Sequence, residues 1–201
     1  MTQELGPRAA YERRVWRLAY LLTGNAPGAA LLVDRILRDQ PSLEQLEPAR
    51  LDRVVVQHAR GLPRPKAPAP VPALASLRPE AAKALDAVRE LPEQPREAWV
   101  LARVDEVDEL HMSRAMDCSK TAARNHLAAA DQQMSARFGA SAEAAASAIR
   151  SFADSLDPGP IIQAHRQERR RRLKLRAMYI AGASLVSLLV IALALLQRWF
   201  A

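Results

Sequence analysis

A single cysteine, Cys118, in 201 residues excludes an intramolecular disulfide and any zinc site built on several thiolates. Aromatics are nearly as scarce, three each of Trp, Tyr and Phe, too few to fill large cores. Alternating β-branched runs that would mark strands are missing, while Ala and Leu recur at three- and four-residue spacing. The sequence shows no paired carboxylates with a reason for a perturbed pKa, no nucleophile beside a base and no glycine-rich phosphate loop. That argues against an enzyme, a small-molecule substrate or a cofactor. The composition predicts an all-α protein.

Evenly spread positive charge is also lacking. The net charge is +7, but eight of the 29 Lys and Arg lie in the run 165–176 or at Arg198, with only Glu168 to offset them. The remaining residues carry 21 of each sign, and 91–139 holds six basic against eight acidic. Duplex DNA is held largely by phosphate neutralisation, and the middle of the chain brings no charge surplus to it.

What is present centres on 91–138. Amphipathic segments at 94–104, 108–116 and 120–138 are separated by short breaks, the second being Asp117-Cys118-Ser119. Asp108 and Ser119 each precede a periodic run, where a side-chain oxygen can accept from free backbone N–H groups. Short helix, tight turn and longer helix outline a helix-turn-helix, which can set its second helix in the DNA major groove. Its expected core is Leu101, Met112, Met116, Ala123 and Leu127.

This stretch resembles region 4 of the extracytoplasmic-function sigma factors of bacterial RNA polymerase. The family pattern runs Leu-Pro-Glu, a helix, Glu-Gly-Leu-Ser, a short helix, Gly-Cys-Ser and a basic recognition helix. Here it is met by Leu91-Pro92-Glu93, Asp105-Glu106-Val107-Asp108 and Asp117-Cys118-Ser119 in ungapped register. Glu106 and Asp117 replace the two turn glycines, and Ala129 and Asp131 stand where arginines are usual. Lys120, Thr121, Arg124, Asn125 and His126 project from the first turns of the recognition helix and are the expected DNA-binding residues.

Upstream, 8–22 places Val15, Leu18, Ala19 and Leu22 on a helical stripe flanked by Trp16 and Tyr20. A second helix at 27–38 is expected to pack back through Leu31, Leu32, Ile36 and Leu37. A third at 48–60 carries Leu51, Val54, Val55 and His58 on one face, His58 reading as a stripe member rather than a ligand. The hairpin resembles region 2 of the same family: Leu22-Thr23-Gly24-Asn25 fits its turn, while Ala30 and Leu31 replace two carboxylates of its polymerase-docking face. The segment that melts promoter DNA is missing or reduced to 51–60.

The expected organisation is a region 2-like helical domain at 1–62, a Pro-rich linker at 63–78 and a region 4-like helix-turn-helix domain at 79–139. An Ala-rich helix and a basic segment follow at 140–176. The run 177–196 has no charged residue and is long enough to cross a ~30 Å hydrocarbon layer, which predicts a transmembrane helix. The basic flank Arg166, Arg169, Arg170, Arg171, Arg172, Lys174 and Arg176 then predicts a single-pass inner-membrane protein with its N-terminal domains in the cytoplasm, and a surface for anionic lipid headgroups.

Two functional readings follow. The first is a membrane-anchored regulator of the sigma type, with RNA polymerase and promoter DNA as partners. The second is a sigma-like protein-binding module that captures an anti-sigma factor or another regulator without binding DNA.

Overall fold

Proline sets the starts of the helices. Its fixed φ and missing N–H suit the first helical turn, where the N–H has no intrahelical acceptor. In the computed structural model, which describes residues 7–39, 47–65 and 79–200 (the last twenty by backbone alone), Pro7 opens α1 (Pro7–Thr23) and Pro48 opens α3 (Pro48–Arg60). Pro79 opens α4 (Pro79–Glu90), and Pro27 and Pro160 are second in α2 (Ala26–Asp39) and α9 (Gly159–Phe200). Between them lie α5 (Glu93–Trp99), α6 (Glu109–Met116), α7 (Lys120–Phe138) and α8 (Ala142–Ser155). No strand occurs among the described residues, and the chain is all-α.

Helix α1 is central, with Val15, Trp16, Leu18, Ala19, Tyr20, Leu21 and Leu22 all buried. Trp16 stacks on Tyr20 with ring centroids 5.0 Å apart and planes 9° from parallel, and burial pushes the Tyr20 hydroxyl up to about 12. Gly24 turns the chain into α2 at φ +67, and a side chain there would meet the Arg89 guanidinium at 2.8 Å. Asn25 caps α2, its Oδ1 accepting from Gly28 N at 2.8 Å. In α2 the expected stripe holds for Leu32 and Ile36, but Leu31 is 49% exposed and Leu37 only half-buried. Ala29, Ala30 and Val33 fill the contact instead, because small side chains let α1 and α2 approach closely.

Residues 1–162 form one unit, and the expected segments 1–62 and 79–139 lie within it together. A single apolar cluster runs from Val15 to Ile162. Polar groups fix how these helices meet. Asp52 of α3 is fully buried and takes both arms of the Arg14 guanidinium, at 2.9 and 2.6 Å, and His111 Nε2 of α6 at 2.7 Å. Glu97 of α5, also buried, takes both arms of Arg60 from α3 at 2.8 and 2.7 Å. The buried Arg96 donates to Leu22 O at 3.2 Å, and burial first, then Arg64, lowers its pKa to about 10. On the far side of α1, Arg13 donates to the carbonyls of Leu156 and Asp154 at 3.1 and 2.6 Å. Arg17 there reaches Asp105 at 3.7 Å and Asp154 at 3.1 Å.

The expected proline linker is described only at its start. Asn25 Nδ2 and Arg89 Nη2 donate to the carbonyls of Pro63 and Pro65, both at 2.8 Å. Residues 66–78, with Pro68, Pro70 and Pro72, lie outside the described residues.

Residues 163–201 form a second unit. Here the sequence expectation is corrected: among the described residues no helix is long and apolar enough to cross a membrane. The described side chains of this unit end at Ile180 and are dominated by Arg166, Arg169, Arg170, Arg171, Arg172, Lys174 and Arg176, so they contain no uncharged window of spanning length. The side chains of 181–196 lie outside the described residues. The membrane-spanning helix and the inner-membrane location are therefore not retained. Among these residues Arg172 pairs with Glu168 one turn earlier at 2.8 Å.

Two consequences follow for stability. Asp52→Ala removes the acceptor shared by the partly solvated Arg14 and His111 and should cost about 1–3 kcal/mol, measured by urea unfolding. Asp105 is nearly buried, and desolvation raises its carboxyl above the ordinary 3.8 despite Arg14 and Arg17. A raised folded pKa contributes stability below about 4 and loses it as pH rises through the folded value, so the charged form is a burden at neutral pH. Asp105→Asn should raise the melting temperature near pH 7, and the gain should shrink as pH falls through the raised folded value and be gone below about 4.

Candidate nucleic-acid interface

The site is assembled from α5 to α7. Helix α5 widens at its end into a π-helical turn, Val100–Val104, in which Asp105 N donates five residues back to Val100 O at 3.0 Å. Glu106 follows at φ +52, and Val107 N closes the loop onto Leu101 O at 3.1 Å. Arg150 of α8 covers this corner, donating to Arg103 O at 2.8 Å and pairing with Glu106 at 2.7 Å. Asp108 then caps α6, its Oδ1 accepting from His111 N at 2.7 Å.

The turn between α6 and α7 is a Schellman closure. Asp117 adopts φ +57, Cys118 N donates to Ser113 O at 3.0 Å, and Asp117 N donates to Arg114 O at 3.3 Å. Ser119 Oγ accepts from Ala122 N at 3.1 Å and starts α7. Both caps expected from sequence are thus in place. Glu106 and Asp117 are the non-glycine residues with positive φ among those described, and they stand where the sigma pattern carries glycine. Cys118 is half-buried in this turn, and desolvation first raises its thiol pKa, Arg60 opposing, so the thiolate is disfavoured.

Helix α7 packs through Ala123, Ala130 and Met134 onto the layer that holds Leu101, Met112 and Met116. Leu127, expected in that core, packs at its edge and is half-buried. Small alanines at 123 and 130 bring α7 close, and Met134 is buried nearer its C-terminal end. The opposite face of α7 presents Lys120, Thr121, Arg124 and Asn125 to solvent, with His126 half-buried beside them. The structure thus groups four of the five expected contact residues on one open face. The basic residues 166–176 of α9 lie in the second unit.

The electrostatics of the face were not visible in the spacing. Arg124 is held in a two-armed pair by Glu109 at 2.8 and 3.3 Å, which lowers the pKa of Glu109 and raises that of Arg124. Arg114 pairs with Glu47 at 2.7 Å, and Arg53 of α3 with Asp117 at 2.7 Å. Asp131 does not stand free on the DNA face. It takes both arms of Arg103 at 3.1 and 2.6 Å and ties α7 to the π-helical turn. Sequence gives no cue for that pair, since 28 residues separate the partners.

Asp131→Arg therefore sets two guanidinium groups against each other. It should destabilise the fold by about 1 kcal/mol, a small figure because both partners are partly solvated, and urea titration against the native chain measures it. Comparison with known proteins gives no match, whether to a family model, a curated protein or a solved structure.

Proposed function

We propose that this chain is a transcription regulator resembling the extracytoplasmic-function sigma factors, whose helix-turn-helix meets duplex DNA through Lys120, Thr121, Arg124 and Asn125. The observation that carries this reading is the open outer face in the first two turns of α7, set directly after a capped, Schellman-closed turn. Residues in those turns are the ones that reach base edges when such a helix enters the major groove. RNA polymerase is the natural second partner of a chain with this pattern.

A second reading, a module that captures an anti-sigma factor or another protein regulator, draws on a different observation. Arg124, Arg114, Arg53 and Arg103 each face a carboxylate of the same chain. A surface that interleaves charges of both signs is complementary to a mixed-charge protein surface.

Titration of the full chain onto duplex DNA over a range of salt separates the two. The DNA reading expects weak binding with a salt slope of about −2 to −3, from two or three phosphate contacts. Lys120→Ala should reduce that slope by about 1. Absence of salt-dependent binding, together with a stoichiometric complex with an anti-sigma factor, decides for the second reading.

A further inference from the structure

We infer that α3 extends the DNA-binding surface: its exposed stripe Arg50, Arg53 and Gln57 lies beside the helix-turn-helix turn and grips the phosphate backbone flanking the groove that receives α7. The inference rests on the DNA reading above and adds a surface that the helix-turn-helix pattern does not contain.

Arg50, Arg53 and Gln57 are spaced by three and four residues and share the solvent face of α3, while Leu51, Asp52, Val55 and Val56 on the other face are buried. The contacts of Asp52 with His111 and of Arg60 with Met116 O at 3.3 Å hold α3 against α6. The solvent stripe thereby comes to the turn itself: Arg53 Nη2 is 2.7 Å from Asp117 Oδ1, and Gln57 Nε2 donates to Asp117 Oδ2 at 3.5 Å. Arg53 is 46% exposed and Asp117 49%, so the pair is open to an incoming anion.

The first helix of this motif crosses the DNA backbone while the first turns of the recognition helix reach the bases, so the turn between them lies beside the phosphates. Arg53 and Gln57 already converge on a carboxylate there, and a fork of donors that holds a carboxylate also suits a phosphate oxygen pair. Arg114, exposed on α6 and paired with Glu47 just before α3, continues the row. In the resting chain Asp117 neutralises Arg53, and a phosphate placed at the same point competes with it.

The test is equilibrium binding of the full chain to random-sequence duplex DNA over a salt series, with thermal unfolding of each variant run alongside. Arg53→Ala should weaken binding equally for every duplex and reduce the salt slope by about 1, while Arg53→Lys keeps the slope. Asp117→Asn removes the competing charge without disturbing the turn, because asparagine tolerates the left-handed conformation well. It should tighten binding several-fold, and that gain should vanish in Arg53→Ala/Asp117→Asn. A gain from Asp117→Asn that is equal with and without Arg53 overturns the inference. So does a slope unchanged by Arg53→Ala in a chain whose slope falls with Lys120→Ala, an outcome that leaves the DNA reading standing. A native chain with no salt-dependent binding removes both.

Discussion

A carboxylate without solvent survives in a protein interior only when its lone pairs are filled by donors held in place, since desolvating each ion costs several kcal/mol. Asp52 meets that condition with three directed bonds, two from Arg14 on α1 and one from His111 on α6. None of the three helices can rotate or slide without breaking one of them. Apolar burial alone tolerates small slips in register, whereas this triad does not. Glu97 repeats the arrangement between α3 and α5 through Arg60. The orientation of the helix-turn-helix relative to the N-terminal helices is thus set by buried polar groups laid across an alanine-rich core.

This matters for the site because α3 reaches the turn only through that packing. A helix-turn-helix joined to the rest of the chain by a free linker presents its own few cations and nothing else. Here the turn at Asp117 is shared by α3, α6 and α7. The slight acidic excess of 91–139 therefore understates what the surface offers, and the pairing of Arg53 and Arg124 with carboxylates of the same chain overstates its inertness, since these pairs are solvated and exchangeable.

Local chemistry was legible in the sequence where one side chain decides one backbone event. Asp108 and Ser119 announced the starts of α6 and α7, and Leu101, Met112, Met116 and Ala123 followed helical periodicity into the core. Periodicity ranks residues by apolarity, however, so it passed over Asp52, Arg96 and Glu97, whose burial depends on partners 38, 74 and 37 residues away. It also set Leu127 too deep, since the residue packs at the edge of the core and is half-buried. Asp131 was read as a departure from a basic DNA face and is instead a strut to Arg103.

The bond from Arg13 Nε to the carbonyl of Leu156 closes a loop of 143 residues, and it is made by the first helix described in the chain. Synthesis runs at about 5–20 residues per second, so α1 waits roughly 7–30 s between leaving the ribosome and meeting α8. During that interval α2 and α3 are the first partners to reach Trp16, Leu18, Tyr20 and Leu21, and Arg13, Arg14 and Arg17 put a row of charge on the other side of α1. The arginines that later lock the fold thus also keep one side of the first helix charged while the chain is being made.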